Sequence, residues 1–111
     1  MSIDQIDKID IISTTPEGKV MLTISDHHLW DDAENHMLLL QNKLNLYLQF
    51  VENGQIFEEY PGAKNKQIVI SVRMKYMPNA TSLLLLNQWK ETILNAGFEF
   101  EWRVFHHADI N

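Results

Sequence analysis

Three patterns in this sequence predict an α+β chain folded as a two-layer α/β sandwich. The elements run in the order β-β-α-β-α-β, forming a mixed four-stranded sheet with two helices on one face. The first pattern is a two-residue alternation of apolar with mostly polar side chains over 19–25, 67–76 and 98–105, as expected of strands buried on one face only. The second is a helical repeat of apolar residues over 30–52. The third is the strand–helix–strand succession over 67–105, whose crossover joins parallel strands with right-handed sense. A sheet apolar on one face requires a layer to cover it, and the two helices supply that layer.

Each element has its local reason. Ile9, Ile11 and Ile12 make 9–13 β-branched enough for a short strand, after an acidic start that holds Asp4 and Asp7 beside Ile3 and Ile6. Pro16-Glu17-Gly18 is a turn, since Pro presets one φ and Gly accepts a positive one. Val20, Leu22 and Ile24 then share a face opposite Met21, Thr23 and Ser25, and an antiparallel hairpin follows. Over 30–52, Trp30, Ala33, Met37, Leu40, Leu44, Tyr47 and Val51 recur at steps of three and four. Asp31 with Glu34 resembles a capping box there, and Asn53-Gly54 a helix stop. Residues 54–66 read as a long connection, of a length that is uncommon in compact domains and often functional or mobile. In 67–76, Ile68, Ile70, Val72, Met74 and Tyr76 oppose Val69, Ser71, Arg73 and Lys75. Pro78 ends that strand and Asn79 caps a helix to about 95, with Leu85, Leu86, Trp89, Ile93 and Ala96 inward and Gly97 as its terminator. In the last strand Phe98, Phe100, Trp102 and Val104 alternate with Glu99, Glu101 and Arg103, so the open face carries cross-strand ion pairs among Arg73, Lys75, Glu99, Glu101 and Arg103.

Composition narrows the chemistry. A length of 111 residues suits a single domain, and 45% hydrophobic with 22% charged residues is globular rather than disordered. Nine Lys and Arg against fifteen Asp and Glu give a net charge of -6, which disfavours nucleic acid and anionic membrane as partners. With no Cys, the chain has no disulfide, thiolate metal site or thiol nucleophile. The longest apolar runs, residues 37–40 and 83–86, are far short of a membrane span, and the acidic start is unlike a secretory signal, so a cytoplasmic location is the expectation. Four glycines and no G-x-G-x-x-G or P-loop leave no phosphate cradle, and no cofactor is implied.

The run Gly18-Lys19-Val20-Met21-Leu22-Thr23-Ile24-Ser25-Asp26-His27-His28-Leu29-Trp30 is distinctive. So are Leu39-Leu40-Gln41-Asn42-Lys43-Leu44-Asn45, the Tyr60-Pro61 step and the ending Ala96-Gly97-Phe98-Glu99. With these features the chain resembles, over nearly its whole length, a family of small, mainly bacterial proteins catalogued only as a domain of unknown function. The resemblance implies a single domain and brings no activity, cofactor or site residue with it.

Five groups of residues carry candidate chemistry or binding. Asp26-His27-His28 precedes Asp31, Asp32 and His36; Asp32 and His36 are four apart and share a helix face, so His27, His28, Asp32 and His36 form a candidate metal set. The competing reading makes Asp26 or Asp31 a helix cap and leaves the His residues exposed. Ser25-Asp26-His27 holds the residue types of a hydrolase triad, but neighbours in a strand point to opposite faces. His106 and His107 with Asp109 form a tail cluster that solvation explains. In 54–66, Phe57 and Tyr60 (with Ile56) are candidate partner anchors, and Glu58 and Glu59 the steering charges. A second apolar stripe on the long helix, Leu39, Leu46 and Phe50, is either core or a homodimer surface.

The favoured function is a non-catalytic protein-interaction or regulatory domain that binds a protein partner or itself. An immunity-like role against a basic partner is an analogy from size and charge. The alternatives are a metal-dependent or acid–base enzyme using the Asp26–His36 segment, and a small-ligand sensor.

Overall fold

The computed structural model of the chain describes residues 11–104. The strands are β1 (Ile11–Thr14), β2 (Val20–Asp26), β3 (Ile68–Met74) and β4 (Glu99–Val104), and the helices α1 (Ala33–Glu52), α2 (Gln55–Glu59) and α3 (Ala80–Asn95). The sheet order is β1-β2-β3-β4, antiparallel between β1 and β2 and parallel thereafter, so this is the expected mixed four-stranded α+β architecture. The 15–19 turn closes with Gly18 donating to the Thr15 carbonyl at 2.9 Å, and Gly18 takes a φ of 86° that side chains resist. The beginning of the first strand at Ile9, the acidic start and the cluster at His106, His107 and Asp109 lie outside the described residues.

Register explains the core. Leu22, Ile70 and Phe100 lie in one row across β2, β3 and β4, and Ile24, Val72 and Trp102 in the next. The first row is buried along with Ile24 and Val72, and α1 covers them with Leu40, Leu44, Tyr47 and Phe50 while α3 adds Leu86 and Ile93. Trp30, Trp89 and Trp102 pack against this core while keeping part of their surface in water. The Tyr47 hydroxyl is buried with its ring and donates to the Thr23 carbonyl at 3.1 Å, which fixes α1 against β2. Lys43 is also fully buried, its ammonium 5.6 Å from the centre of the Tyr47 ring.

Several expectations need correction. The connection at 54–66 is largely structured: it holds α2 and a 3-10 turn, Pro61–Ala63, and buries Ile56 and Ala63 completely. Apolar residues placed on a short helix gain more from the core than from solvent, so this segment becomes part of the fold. Burial on a single face fails for the central strands, because Thr23, Val69 and Ser71 on the face away from the helices are buried as well. Val69 and Ser71 are short side chains in register with the longer Glu99 and Glu101. The ion pairs of that face also differ, since Arg73 and Arg103 are register partners. Glu99 instead pairs with Lys19 at 2.9 Å, and Glu101 reaches Arg103 along the same strand at 4.0 Å. Among the described residues no helix is long and apolar enough to cross a membrane.

At the start of α3 the Asn79 side chain accepts from the Ser82 N–H at 2.8 Å, the predicted cap. Asn79→Ala and Tyr47→Phe should each cost about 1 kcal/mol in urea unfolding. Their effects should add, because the two bonds share no partner. A loss of only a few tenths for Tyr47→Phe would mean that the hydroxyl bond does not hold α1 to the sheet.

Candidate functional site

The alternation that buries Val20, Leu22 and Ile24 continues one step further, to Asp26 at the end of β2. That step brings a carboxylate under the helix layer, where it is 2% exposed. A buried carboxylate without partners would be strongly disfavoured. Asp26 has two: Oδ2 lies 2.5 Å from His36 Nε2, and Oδ1 accepts from the His28 backbone N–H at 3.1 Å. His36 sits in the first turn of α1 on the stripe that continues through Leu40 and Lys43, and is as deeply buried as Asp26.

The other ring nitrogen is also engaged, with Nδ1 3.0 Å from the Leu29 carbonyl. A carbonyl only accepts, so Nδ1 carries hydrogen and donates. Nε2 then either donates to the carboxylate from an imidazolium or accepts from a protonated Asp26. Both arrangements hold one proton between the two groups. Trp30 stacks on the His36 ring at 3.6 Å between centroids, and its indole N–H donates to the Tyr76 carbonyl at 3.0 Å. The Lys75 N–H donates to the Asp26 carbonyl at 2.9 Å. Thus the pair ties the end of β2, the loop that follows it, the first turn of α1 and the segment after β3 into one assembly.

This geometry redistributes the candidate metal set. His36 directs both ring nitrogens to partners inside the protein, and Asp32 caps α1 by accepting from the Asn35 N–H at 3.3 Å. The cap is therefore Asp32 rather than Asp26 or Asp31; Asp31 accepts instead from the Asp32 N–H at 3.1 Å. His27 is exposed and stacks on His28 at 4.9 Å, while His28 meets His36 edge-on at 5.7 Å. The expectation of exposed histidines thus holds for His27 and fails for His36. Among the described residues no group of three His, Asp or Glu side chains is placed to hold a metal ion.

The candidate partner residues divide in the same way. Ile56 is fully buried, and Tyr60 is half-buried with its hydroxyl 2.8 Å from Thr14 Oγ1. Phe57 is 42% exposed, with Glu58 and Glu59 exposed beside it. On α1, Phe50 is buried in the core, whereas Leu39 and Leu46 are half-buried. The second stripe is therefore mostly an extension of the core. The sequence reading missed the Asp26–His36 pair as a unit, although the signal was present: Asp26 continues the buried face of its strand, and His36 precedes Leu40 by one helical turn.

Removing one member of a buried, matched pair leaves the other stranded. Asp26→Ala and His36→Ala should each destabilise the fold by about 3–5 kcal/mol. The double replacement Asp26→Leu with His36→Leu should recover a substantial part of that loss. Chemical unfolding of the four proteins checks this, and simple additivity of the two single losses would contradict the pairing.

No curated protein and no solved structure shows significant similarity to this chain. A family model does match, covering residues 1–106, and it spans every element described above. The chain therefore belongs to DUF6572, a family of unknown function.

Proposed function

We propose that this protein is a non-catalytic interaction module that binds a basic protein partner through the corner formed by α2 and the Pro61–Ala63 turn. The observation that carries this reading is Phe57, an aromatic ring 42% exposed on a short helix whose neighbour Ile56 is fully buried. The burial of Ile56 and Ala63, together with the Tyr60–Thr14 hydrogen bond, holds the corner in place, so docking there costs little ordering entropy. Glu58 and Glu59 flank the ring, and the chain carries a net charge of -6. An aromatic anchor with an acidic rim suits a partner surface that offers an apolar pocket bordered by Lys or Arg. The engagement of both His36 ring nitrogens within the protein also favours a binding role over a catalytic one.

The test is affinity capture from native lysate with wild type, Phe57→Ala and Glu58→Lys/Glu59→Lys. The expected result is a specific basic partner whose binding weakens about 30-fold or more with Phe57→Ala, the scale of a central aromatic anchor. Reversing the two acidic groups should mainly slow association and make added salt speed it, since like charges then face each other. Phe57→Ala should leave folding stability within about 0.5 kcal/mol, since the ring is a surface group. No specific partner, or one retained equally by Phe57→Ala, would overturn the proposal.

A further inference from the structure

Among the described residues no strand pairs with the outer edge of β4. Sheet edges are ordinarily blunted by Pro, by a bulge or by brevity. Residues 99–104 hold no Pro or Gly, and they follow β3 without a break from Glu99 to Val104. Trp102 and Val104 pack against the core from this border yet remain only half-buried, so apolar surface along the edge still meets water. On the open face stand Glu101 and Arg103, with side chains 37% and 68% exposed. The register partner of Arg103 on β3 is Arg73. Like charges side by side on a sheet are unfavourable, and an acidic group across the outer edge offsets that.

We infer that β4 is a self-pairing edge whose occupant is a second copy of the chain, added antiparallel about a two-fold axis at Trp102. The order Phe100-Glu101-Trp102-Arg103-Val104 is a charge-complementary palindrome. Laid antiparallel on itself with Trp102 at the axis, it sets Glu101 opposite the partner's Arg103 and Arg103 opposite the partner's Glu101. Phe100 then meets the partner's Val104 on the apolar face. Paired residues share a face, so other registers differ by slides of two residues. Such a slide brings Glu101 against the partner's Glu101 in one direction, and Arg103 against the partner's Arg103 in the other. Charge therefore selects both the occupant and the register. Each copy carries a net charge of -6, and copies that repel at long range need local pairing of this kind to meet. Backbone hydrogen bonds along the joined edges supply the affinity, and the axis makes the contact isologous. The α2 corner stays clear of it, because Tyr60 ties that corner to Thr14 of β1, at the opposite edge of the sheet. This inference therefore stands independently of the partner proposed there.

Sedimentation velocity of the untagged full chain, from low to high micromolar concentration, tests this together with hydrogen exchange of the β4 amides. Wild type should shift from monomer towards dimer as concentration rises, and amides within 100–104 should gain protection in step. Glu101→Arg and Arg103→Glu each set like charges across the axis, so each should stay monomeric with unchanged circular dichroism. An equimolar mixture of the two should form a dimer with one of each, because acid again faces base. The double swap Glu101→Arg/Arg103→Glu should dimerise by itself for the same reason. A folding defect in either variant could produce neither result, and Phe57→Ala should dimerise as wild type does. A wild type that stays monomeric at the highest concentration overturns the inference. So does a dimer that both single variants retain, or one that forms without added protection in β4.

Discussion

A carboxylate buried where a strand ends has to be matched, and the way Asp26 is matched organises this whole end of the molecule. Its side chain takes the next core position after Val20, Leu22 and Ile24, so the sheet offers it no water. The partners come from the following 10 residues of the chain: the His28 N–H and the His36 ring. To reach Asp26, His36 must start α1 in one orientation, which in turn directs Leu40, Leu44 and Tyr47 onto β2 and β3. Trp30 closes over the imidazole and reaches across to the segment after β3. A polar pair thus fixes the register between helix and sheet that apolar packing alone leaves loosely specified.

The two ends of the sheet consequently have different characters. At the end where β2 and β3 finish, potentially reactive groups are drawn inward and engaged with one another. At the opposite end, α2 and the 3-10 turn bury Ile56 and Ala63 and present Phe57 to solvent. Ligand sites in open parallel sheets usually lie beyond the carboxyl ends of the strands. In this chain an ordered, partly apolar corner lies at the other end, while beyond the carboxyl end of β2 Trp30 stacks on the His36 ring. The binding role proposed above draws on this contrast.

The strands and the two long helices were legible because their apolar periods are strong and their punctuation is unambiguous: Gly18, Asn53-Gly54, Pro78 and Gly97. The parallel pairing of β3 with β4 followed from the helix between them. The structure of 54–66 was less legible, because five residues of helix and a 3-10 turn are too short to show a period, and Gly54, Pro61 and Gly62 suggest a loop. The burial of Thr23, Val69 and Ser71 depends on neighbouring strands, which no single strand's alternation reveals. His36 was misjudged because its burial depends on its pairing with Asp26, 10 positions earlier, and polar residues are ordinarily assigned to the surface unless a partner is identified.

Nitrogen-15 and proton NMR of the histidine side chains addresses the Asp26–His36 clasp most directly. His36 should show an exchange-protected Nδ1–H, together with a far-downfield proton shared between Nε2 and Asp26 that disappears in Asp26→Asn. A His36 ring that exchanges freely and is indistinguishable from exposed His27 would contradict the clasp.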